Sequence, residues 1–316
     1  MKILGTGSAL PKLRVTNDRL AEILDTSDEW IVSRTGIRER RLLSDETLQS
    51  LAEAAAKNAL SDAGVAPVDI DFVLVSTVLA ETLSPALAMD IQNAVGLRCM
   101  GMDINAGCTG FIAALSVADG LMAAGMAKHI LVVSAEALSR FTDWTDRATA
   151  VLFGDAAAAV VLGPGEGVKD ILFDAEPRRE VLHVDSAPGN SPFAIDPRPA
   201  CYLKMSGQEV YKFAVSHSLR DIRRMLDRQG LLPGDVDYYL LHQANMRILD
   251  GVRHRLNVGE ERFPHDIEFT GNTSSCSIPL LMDIMKKDGR LVPGARLILS
   301  AFGAGLCTAT AYLEWR

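Results

Sequence analysis

The sequence predicts an α/β protein made of two similar halves, and three observations support this prediction. Short apolar runs alternate with helical patterns along the chain. Several runs, such as residues 72–77 (Phe-Val-Leu-Val-Ser-Thr), are continuously apolar, which is typical of strands covered by helices on both faces of a sheet. The pattern of the first half also recurs in the second. Together these features predict a layered arrangement of sheets and helices.

The first half has helical patterns with recognisable boundaries. Gly64 follows a long helix, Pro85 lies in the first turn of another, and Ser27 or Asp28 can cap a third. We predict helical segments at residues 17–24, 26–38, 47–63, 84–95 and 111–124. We predict strands at residues 1–7, 72–77, 100–104, 129–134 and 156–162, and we expect the strand at 100–104 to be buried.

A glycine-rich segment, residues 163–167, separates the two halves. We place the boundary near Gly165, which gives units of residues 1–165 and 166–316. Residues 176–198 contain four prolines and are predicted to be rich in loops. Helices are then predicted at 211–229, 246–256 and 278–286, and strands at 237–241, 296–300 and 306–315.

The two halves resemble each other in the order of their segments. Residues 72–76 match 238–242, and residues 129–134 match 296–300. The turn that carries Cys108 before a helix matches residues 272–275 before another. This weak duplication predicts a pseudo-twofold axis, with active groups from both halves meeting between them.

Composition excludes several classes of protein. The 316 residues are 48% hydrophobic, and the formal net charge of −8 argues against nucleic acid as a main partner. No apolar run approaches the ~18 residues of a membrane span, and the chain begins directly with a strand pattern, so we expect neither a membrane segment nor a signal peptide. Cys99, Cys201, Cys276 and Cys307 show no metal-ligand spacing. We therefore expect no zinc site, no disulfide framework and a cytoplasmic location.

Cys108 is the candidate nucleophile. It lies between a strand and an alanine-rich helix, where unpaired N–H groups and the helix dipole favour the thiolate. Gly107 and Gly110 leave room for a substrate beside the sulfur. The alternative is a small buried cysteine that only fills the core.

Two further residues and a turn suit acyl transfer. His242 follows a predicted strand, although most histidines of this chain are better read as structural. Asn272 can donate a side-chain N–H into the same cavity. The turn at residues 302–306, with the amide of Cys108, can form an oxyanion hole. The order cysteine, histidine, asparagine also occurs in papain-like hydrolases, but their context of secretion and disulfides is missing here.

Four motifs together resemble β-ketoacyl-acyl carrier protein synthase III, a family of thiolase-fold condensing enzymes. They are residues 105–111 (Asn-Ala-Gly-Cys-Thr-Gly-Phe), 242–245 (His-Gln-Ala-Asn), 271–275 (Gly-Asn-Thr-Ser-Ser) and 302–305 (Phe-Gly-Ala-Gly). The resemblance covers essentially the whole chain, including residues 28–37. It implies a thiolase-like fold with layers α-β-α-β-α, a homodimer, and no cofactor beyond the thioester substrates.

The resemblance also implies a reaction in two stages. Cys108 attacks an acyl-CoA primer, and the oxyanion is held by the amides of Cys108, Gly303, Ala304 and Gly305. Malonyl-acyl carrier protein then enters, and His242 and Asn272 donate hydrogen bonds to its thioester oxygen. Decarboxylation gives a carbanion that attacks the acyl-cysteine, which would initiate fatty acid synthesis.

The binding surfaces follow from the same resemblance. Trp30 and Arg147 would sandwich the adenine of CoA, and Arg34 would meet its phosphates. An edge-of-core tryptophan beside a solvated arginine is the alternative for Trp30 and Arg34. The pantetheine tunnel would be lined by Gly207, Gln208 and Asn245. A basic patch for the acidic carrier protein would consist of Lys212, Arg247, His254 and Arg255.

Two departures from the family pattern concern the acyl pocket. Many relatives carry a bulky aromatic where this chain has Ser84, and this aromatic reaches into the partner subunit's pocket. Residues 306–309 also lack the usual aromatic. We expect primers longer or more branched than acetyl. Two alternatives remain: a thiolase-fold acyltransferase with an amine or hydroxyl acceptor, and a non-catalytic partner subunit, against which Cys108 counts.

Overall fold

The computed structural model describes residues 1–186 and 201–316. The strands are β1 (Lys2–Ala9), β2 (Leu13–Thr16), β3 (Glu39–Leu42), β4 (Phe72–Ser76), β5 (Met100–Ile104), β6 (Ile130–Ala137), β7 (Asp155–Gly163), β8 (Val168–Ala175), β9 (Leu182–Val184), β10 (Leu203–Met205), β11 (Tyr238–Leu241), β12 (Arg296–Gly303) and β13 (Cys307–Glu314). The helices are α1 (Asn17–Ala21), α2 (Asp28–Thr35), α3 (Leu48–Ala63), α4 (Leu87–Val95), α5 (Gly110–Ala123), α6 (Arg147–Ala150), α7 (Gly207–Gln229), α8 (Met246–Leu256), α9 (Ile267–Thr270) and α10 (Ser277–Lys287).

Two sheets with matching topology form the centre of the protein. The first has the order β1-β7-β6-β4-β5, and the second has the order β11-β12-β13-β8. β4 is parallel to β6, and β7 is antiparallel to β6 and β1. Likewise β11 is parallel to β12, and β13 is antiparallel to β12 and β8. The internal repeat predicted from the sequence is therefore confirmed, while the boundary near Gly165 stays a prediction.

The layers follow from the period-two alternation of side chains along each strand. On β4, Leu74 packs with α5 and α10 between the sheets, whereas Val73 and Val75 pack with α3 and α4 outside the first sheet. α7 and α8 cover the outer face of the second sheet. The predicted order of layers, α-β-α-β-α, is confirmed. No helix of the two described segments is both long and apolar enough to cross a membrane.

The structure differs from the sequence prediction at the edge of the first sheet. β5 is an edge strand, so the side chain of Met100 is 64% exposed, and the prediction of a buried strand was wrong. α4 begins at Leu87, not at Ser84, because the carboxylate of Asp103 accepts hydrogen bonds from the N–H groups of Leu87 (2.8 Å) and Ala88 (3.0 Å). This carboxylate satisfies the helix start in place of a cap near Pro85.

Five strands, β2, β3, β8, β9 and β10, were also missed. β8 completes the second sheet, and β9 pairs with β10 beside the candidate site. β9 lies within residues 176–198, which were predicted to be loops, and residues 187–198 of that prediction lie outside the described residues. Strands of three residues carry too little pattern to be recognised from sequence.

Candidate active site

A cavity of about 620 Å³ lies where the two halves meet. Cys108, His242 and Asn272 all line it, so residues separated widely in the chain are brought together as the repeat predicted. The exposed or half-buried residues Trp30, Arg34, Gly207, Tyr211 and Asn245 line it, together with the buried residues Leu138, Phe153 and Phe302 and with Ala304 and Cys307.

Cys108 lies in a single 3-10 turn, Gly107–Thr109, that leads directly into α5. Gly107 adopts a φ of 52°, which glycine reaches without strain. Burial raises the pKa of the Cys108 thiol to about 12. The sequence had predicted a stabilised thiolate at the helix start. Burial acts against the helix start and favours the thiol.

Asn272 is held by the first half of the chain. Its N–H donates to the carbonyl of Leu152 (2.9 Å), and its carbonyl accepts from Gly154 N–H (3.0 Å). A Cβ on Gly154 would lie 2.0 Å from the carbonyl oxygen of Thr270, so this approach requires glycine. The Asn272 Oδ1 atom accepts from Ser274 N–H (2.9 Å), which leaves the amide nitrogen to donate into the cavity.

His242 follows β11 and is buried, with its ring 5.1 Å from that of Phe302. Burial lowers the pKa of His242 to about 3, so the imidazole is neutral near pH 7. Its Nδ1 lies 2.8 Å from Ser277 Oγ, which is also 2.9 Å from the carbonyl oxygen of Ser274. The Ser277 hydroxyl has one proton. If the Ser277 hydroxyl donates to the Ser274 carbonyl, Nδ1 of His242 carries the ring proton and donates to Ser277, and Nε2 is an acceptor. If the hydroxyl donates to Nδ1 instead, the ring proton is on Nε2, which can then donate.

Ser274 and Glu136 are site residues that the sequence analysis missed. The Ser274 hydroxyl lies 3.4 Å from Cys108 Sγ and 3.1 Å from Glu136 Oε1. Glu136 also accepts from the hydroxyl of Ser275 (2.7 Å) and the N–H of Val78 (3.0 Å). Burial raises the pKa of Glu136 to about 7. A glutamate inside the apolar run of β6 was the signal that could have identified it.

The turn after β12 supports part of the predicted oxyanion hole. A Cβ on Gly303 would lie 3.0 Å from the nitrogen of Cys108, so the two backbones approach closely. Ala304 also lines the cavity. Gly305 differs from the prediction, because its N–H donates to the carbonyl of Leu182 in β9 at 3.3 Å. Gly303 does not line the cavity, so the candidate oxyanion donors are the N–H groups of Cys108 and Ala304.

The residues predicted for the adenine meet at the cavity entrance. The guanidinium carbons of Arg34 and Arg147 lie 4.9 Å and 4.7 Å from the centroid of the Trp30 ring. These are direct cation–π contacts, with no space for a base between ring and guanidinium. Arg147 also donates to the carbonyl of Asp25 (2.7 Å). An adenine can stack on Trp30 only after one arginine moves aside.

Two of the three residues predicted to line the pantetheine tunnel line the cavity, and the third does not. Gly207, the first residue of α7, and Asn245 line the cavity, whereas Gln208 is exposed outside it. The Asn245 side chain accepts from Arg247 N–H (2.9 Å), which caps α8, and donates to the carbonyl of Arg34 (3.1 Å). Its Oδ1 atom and one of its two amide N–H groups thus join α8 to α2 at the cavity wall.

The residues of the predicted basic patch lie on α7 and α8, which pack against each other. Lys212, Arg247, His254 and Arg255 are all exposed. Arg247 lies over the ring of Tyr211, 5.7 Å from its centroid, and Tyr211 lines the cavity. Ser84 is exposed on the loop before α4 and does not line the cavity of its own chain.

The two pseudo-symmetric halves around one deep cavity define a thiolase-fold enzyme. Comparison with known proteins agrees. The structure of 3-oxoacyl-[acyl-carrier-protein] synthase III from Aquifex aeolicus superposes with a TM-score of 0.93 over 99% of both chains, at 37% identity. A priming β-ketosynthase from the R1128 polyketide biosynthetic pathway gives a TM-score of 0.93 at 36% identity, over 99% of this chain and 96% of that one.

The sequence comparisons identify the family. Residues 102–177 match the family model of 3-oxoacyl-[acyl-carrier-protein (ACP)] synthase III, and residues 226–315 match the model of its C-terminal part. The β-ketoacyl-[acyl-carrier-protein] synthase III of Rhizorhabdus wittichii is 41% identical over 99% of this chain and 98% of its own. The β-ketoacyl-[acyl-carrier-protein] synthase III of Clostridium acetobutylicum is 38% identical over 100% of this chain and 98% of its own. The chain belongs to the β-ketoacyl-[acyl-carrier-protein] synthase III family.

The protonation of His242 gives a prediction. The pKa of His242 in the folded protein lies below the ~6.5 of a histidine in the unfolded chain. As the pH falls from 6.5 towards 3, the unfolded chain therefore binds a proton at His242 and the folded protein does not. Acidification in this range destabilises the fold through this residue. We expect the His242 resonances of isotope-labelled protein not to titrate between pH 5 and 8. His265 is the control, because its pKa is raised by a hydrogen bond to Glu268. Titration of His242 near pH 6.5 would contradict this account.

Proposed function

We propose that this protein joins an acyl-CoA primer to malonyl-acyl carrier protein by decarboxylative Claisen condensation, through an acyl-Cys108 intermediate. The product is a 3-oxoacyl-acyl carrier protein, which initiates fatty acid synthesis. The observation that carries the proposal is the convergence of Cys108, His242 and Asn272 on one cavity in a chain of this family. The reaction needs no cofactor, since both substrates are activated thioesters.

In the first stage, Cys108 Sγ attacks the carbonyl carbon of the primer thioester. The developing oxyanion is stabilised by backbone N–H groups, for which those of Cys108 and Ala304 are the candidates. CoA leaves as its thiolate, and the acyl group remains on Cys108. The buried apolar residues Leu138, Phe153 and Phe302 line the same cavity and disfavour water beside the acyl group, which slows hydrolysis of the acyl-enzyme.

In the second stage, the malonyl thioester oxygen lies between Asn272 and His242. The Asn272 amide can donate as it stands, whereas His242 donates from Nε2 when the Ser277 hydroxyl turns to Nδ1. Because His242 is neutral, it donates without bringing a positive charge into the cavity. Loss of CO₂ then gives an enolate stabilised by two hydrogen bonds, and this enolate attacks acyl-Cys108.

A first experiment tests the acyl-enzyme and the primer together. The protein is incubated with acetyl-CoA and with longer and branched acyl-CoA primers, and its intact mass is followed. We expect stable acylation that is lost in Cys108→Ala, with turnover only when malonyl-acyl carrier protein is added. Ser84 in place of a bulky aromatic favours the longer and branched primers.

The outcomes of this experiment separate the alternatives. No acylation by any primer would reject the proposed function. Acylation followed by transfer to an amine or hydroxyl, but not to malonyl-acyl carrier protein, would favour an acyltransferase. A strong preference for acetyl-CoA over larger primers would contradict only the interpretation of Ser84.

We propose further that the basic patch binds the carrier protein beside the cavity entrance. Arg247 is central because it lies over Tyr211, which lines the cavity. We expect Arg247→Glu to raise the KM for malonyl-acyl carrier protein about fivefold, as for loss of an exposed charge pair worth about 1 kcal/mol, and high salt to reduce the difference. Lys57→Glu, on α3 outside the first sheet, is the matched control. An equal effect with a malonyl thioester that lacks the carrier protein would refute the patch.

We also propose that two chains form a symmetric dimer through β5. This edge strand leaves backbone groups unpaired and exposes Met100 and Met102, while Leu83 on the loop before α4 and Met89 in α4 are exposed as well. An interface here would place the loop of Ser84 against the partner. We expect Met100→Asp to shift the sedimentation mass from two chains towards one, while Leu232→Asp, an exposed leucine of the second half, leaves it unchanged. A monomeric parent protein would exclude this interface.

A further inference from the structure

The Cys108 thiol needs a proton acceptor, and the contacts around it supply one. Burial keeps the resting cysteine protonated, although only the thiolate attacks a thioester. Behind Cys108, a chain of two short contacts leads away from the cavity: Sγ to Ser274 Oγ at 3.4 Å, then Ser274 Oγ to Glu136 Oε1 at 3.1 Å. No substrate can reach Glu136, because it is 1% exposed and does not line the cavity.

A hydroxyl has one proton, and this fixes how the three groups can be connected. When Glu136 is ionised, it can only accept, so the Ser274 proton points to the carboxylate and the Cys108 thiol can donate to Ser274 Oγ. When Glu136 is protonated, the Ser274 hydroxyl is released to donate to a Cys108 thiolate. The same contacts therefore serve two states that differ by the transfer of one proton, and Cys108 and Glu136 share one negative charge.

We propose that Glu136 accepts the Cys108 thiol proton through the Ser274 hydroxyl and holds it until Cys108 is next released as a thiolate. As Sγ attacks the primer, the S–H proton passes to Ser274 Oγ and the Ser274 proton passes to Glu136. CoA leaves as a thiolate and takes its proton from water. When the enolate later attacks acyl-Cys108, the C–S bond breaks, and the expelled thiolate recovers the proton from Glu136 by the reverse path.

The surroundings of Glu136 suit this task. The hydroxyl of Ser275 and the N–H of Val78 stabilise its ionised form, whereas burial opposes it, so its pKa is raised to about 7 and both states are populated near neutrality. The Cys276 thiol also interacts with Glu136, and burial raises the pKa of this thiol, so it stays protonated. Because Glu136 acts through Ser274, it is a positioning residue for the proton and not a group that touches substrate.

The test is the rate of alkylation of Cys108 by iodoacetamide, followed by peptide mass over a range of pH. If the Cys108 proton passes through Ser274 to Glu136, the rate of Cys108 alkylation in the wild-type protein should rise with pH as Glu136 ionises and then level off. Glu136→Gln should be about 10²-fold slower at pH 7 and rise about tenfold for each pH unit without levelling off. Ser274→Ala, which removes only the intervening hydroxyl, should behave in the same way.

A purely electrostatic role predicts the opposite sign. Ionised Glu136 raises the pKa of Cys108 by charge repulsion, so removing the charge would then make alkylation faster. Alkylation of Glu136→Gln that is equal to or faster than wild type, or slower by the same factor at every pH, would overturn the proposal. Ser275→Ala should raise the pH midpoint of the alkylation profile, because it removes a hydrogen bond that stabilises ionised Glu136. The contacts from Glu136 through Ser274 to Cys108 remain in this variant.

Asp155→Asn is the matched control. Asp155 is also a buried carboxylate whose pKa is raised by burial, but its hydroxyl partner is Ser139, not Ser274. We expect the pH profile of Cys108 alkylation in Asp155→Asn to match that of the wild-type protein. The later return of the proton rests on the proposed condensation, whereas alkylation does not require acyl-CoA. If no primer acylates the protein, the proposed function fails, and the alkylation profiles still decide the relay.

Discussion

The conformation of Ser274 is the constraint on which the site depends. Its φ of 53° lies in the left-handed region, which costs a non-glycine residue roughly 1–2 kcal/mol. In this conformation its N–H fixes Asn272, its carbonyl contacts the hydroxyl of Ser277 that meets His242, and its side chain lies against Cys108. One residue thus orients all three proposed catalytic groups, and its strain is offset by these contacts.

The internal repeat explains how the two halves share this geometry. Gly107 and Ser274 each begin a 3-10 turn before a central helix, with φ values of 52° and 53°. In the first half the left-handed residue is a glycine, which leaves space beside Cys108. In the second half it is a serine, whose hydroxyl reaches across the pseudo-twofold axis towards that cysteine. The same backbone form therefore supplies an open side and a polar side to one cavity.

Sequence was sufficient for the features that have a long pattern. The alternating strands, the repeat and the layers were all predicted, and helix α8 (Met246–Leu256) has the bounds expected from its periodicity. Cys108, His242 and Asn272 were predicted because their types and positions suit acyl transfer, and the structure brings them to one cavity. The edge position of β5 could not be read, because an apolar strand looks the same whether helices or a partner cover it. Asp103 as a distant cap of α4 required the fold as well.

The protonation states were beyond sequence for a physical reason. A helix start favours the thiolate, but burial favours the thiol, and only the depth of the cavity decides between them. Burial also keeps His242 neutral and raises the pKa of Glu136 to about 7. A dry cavity strengthens each hydrogen bond to a developing charge, yet it also holds back the ionisation that starts the reaction. Burial of the nucleophile therefore favours a proton acceptor inside the protein, and Glu136 is the carboxylate that the fold links to Cys108 through Ser274.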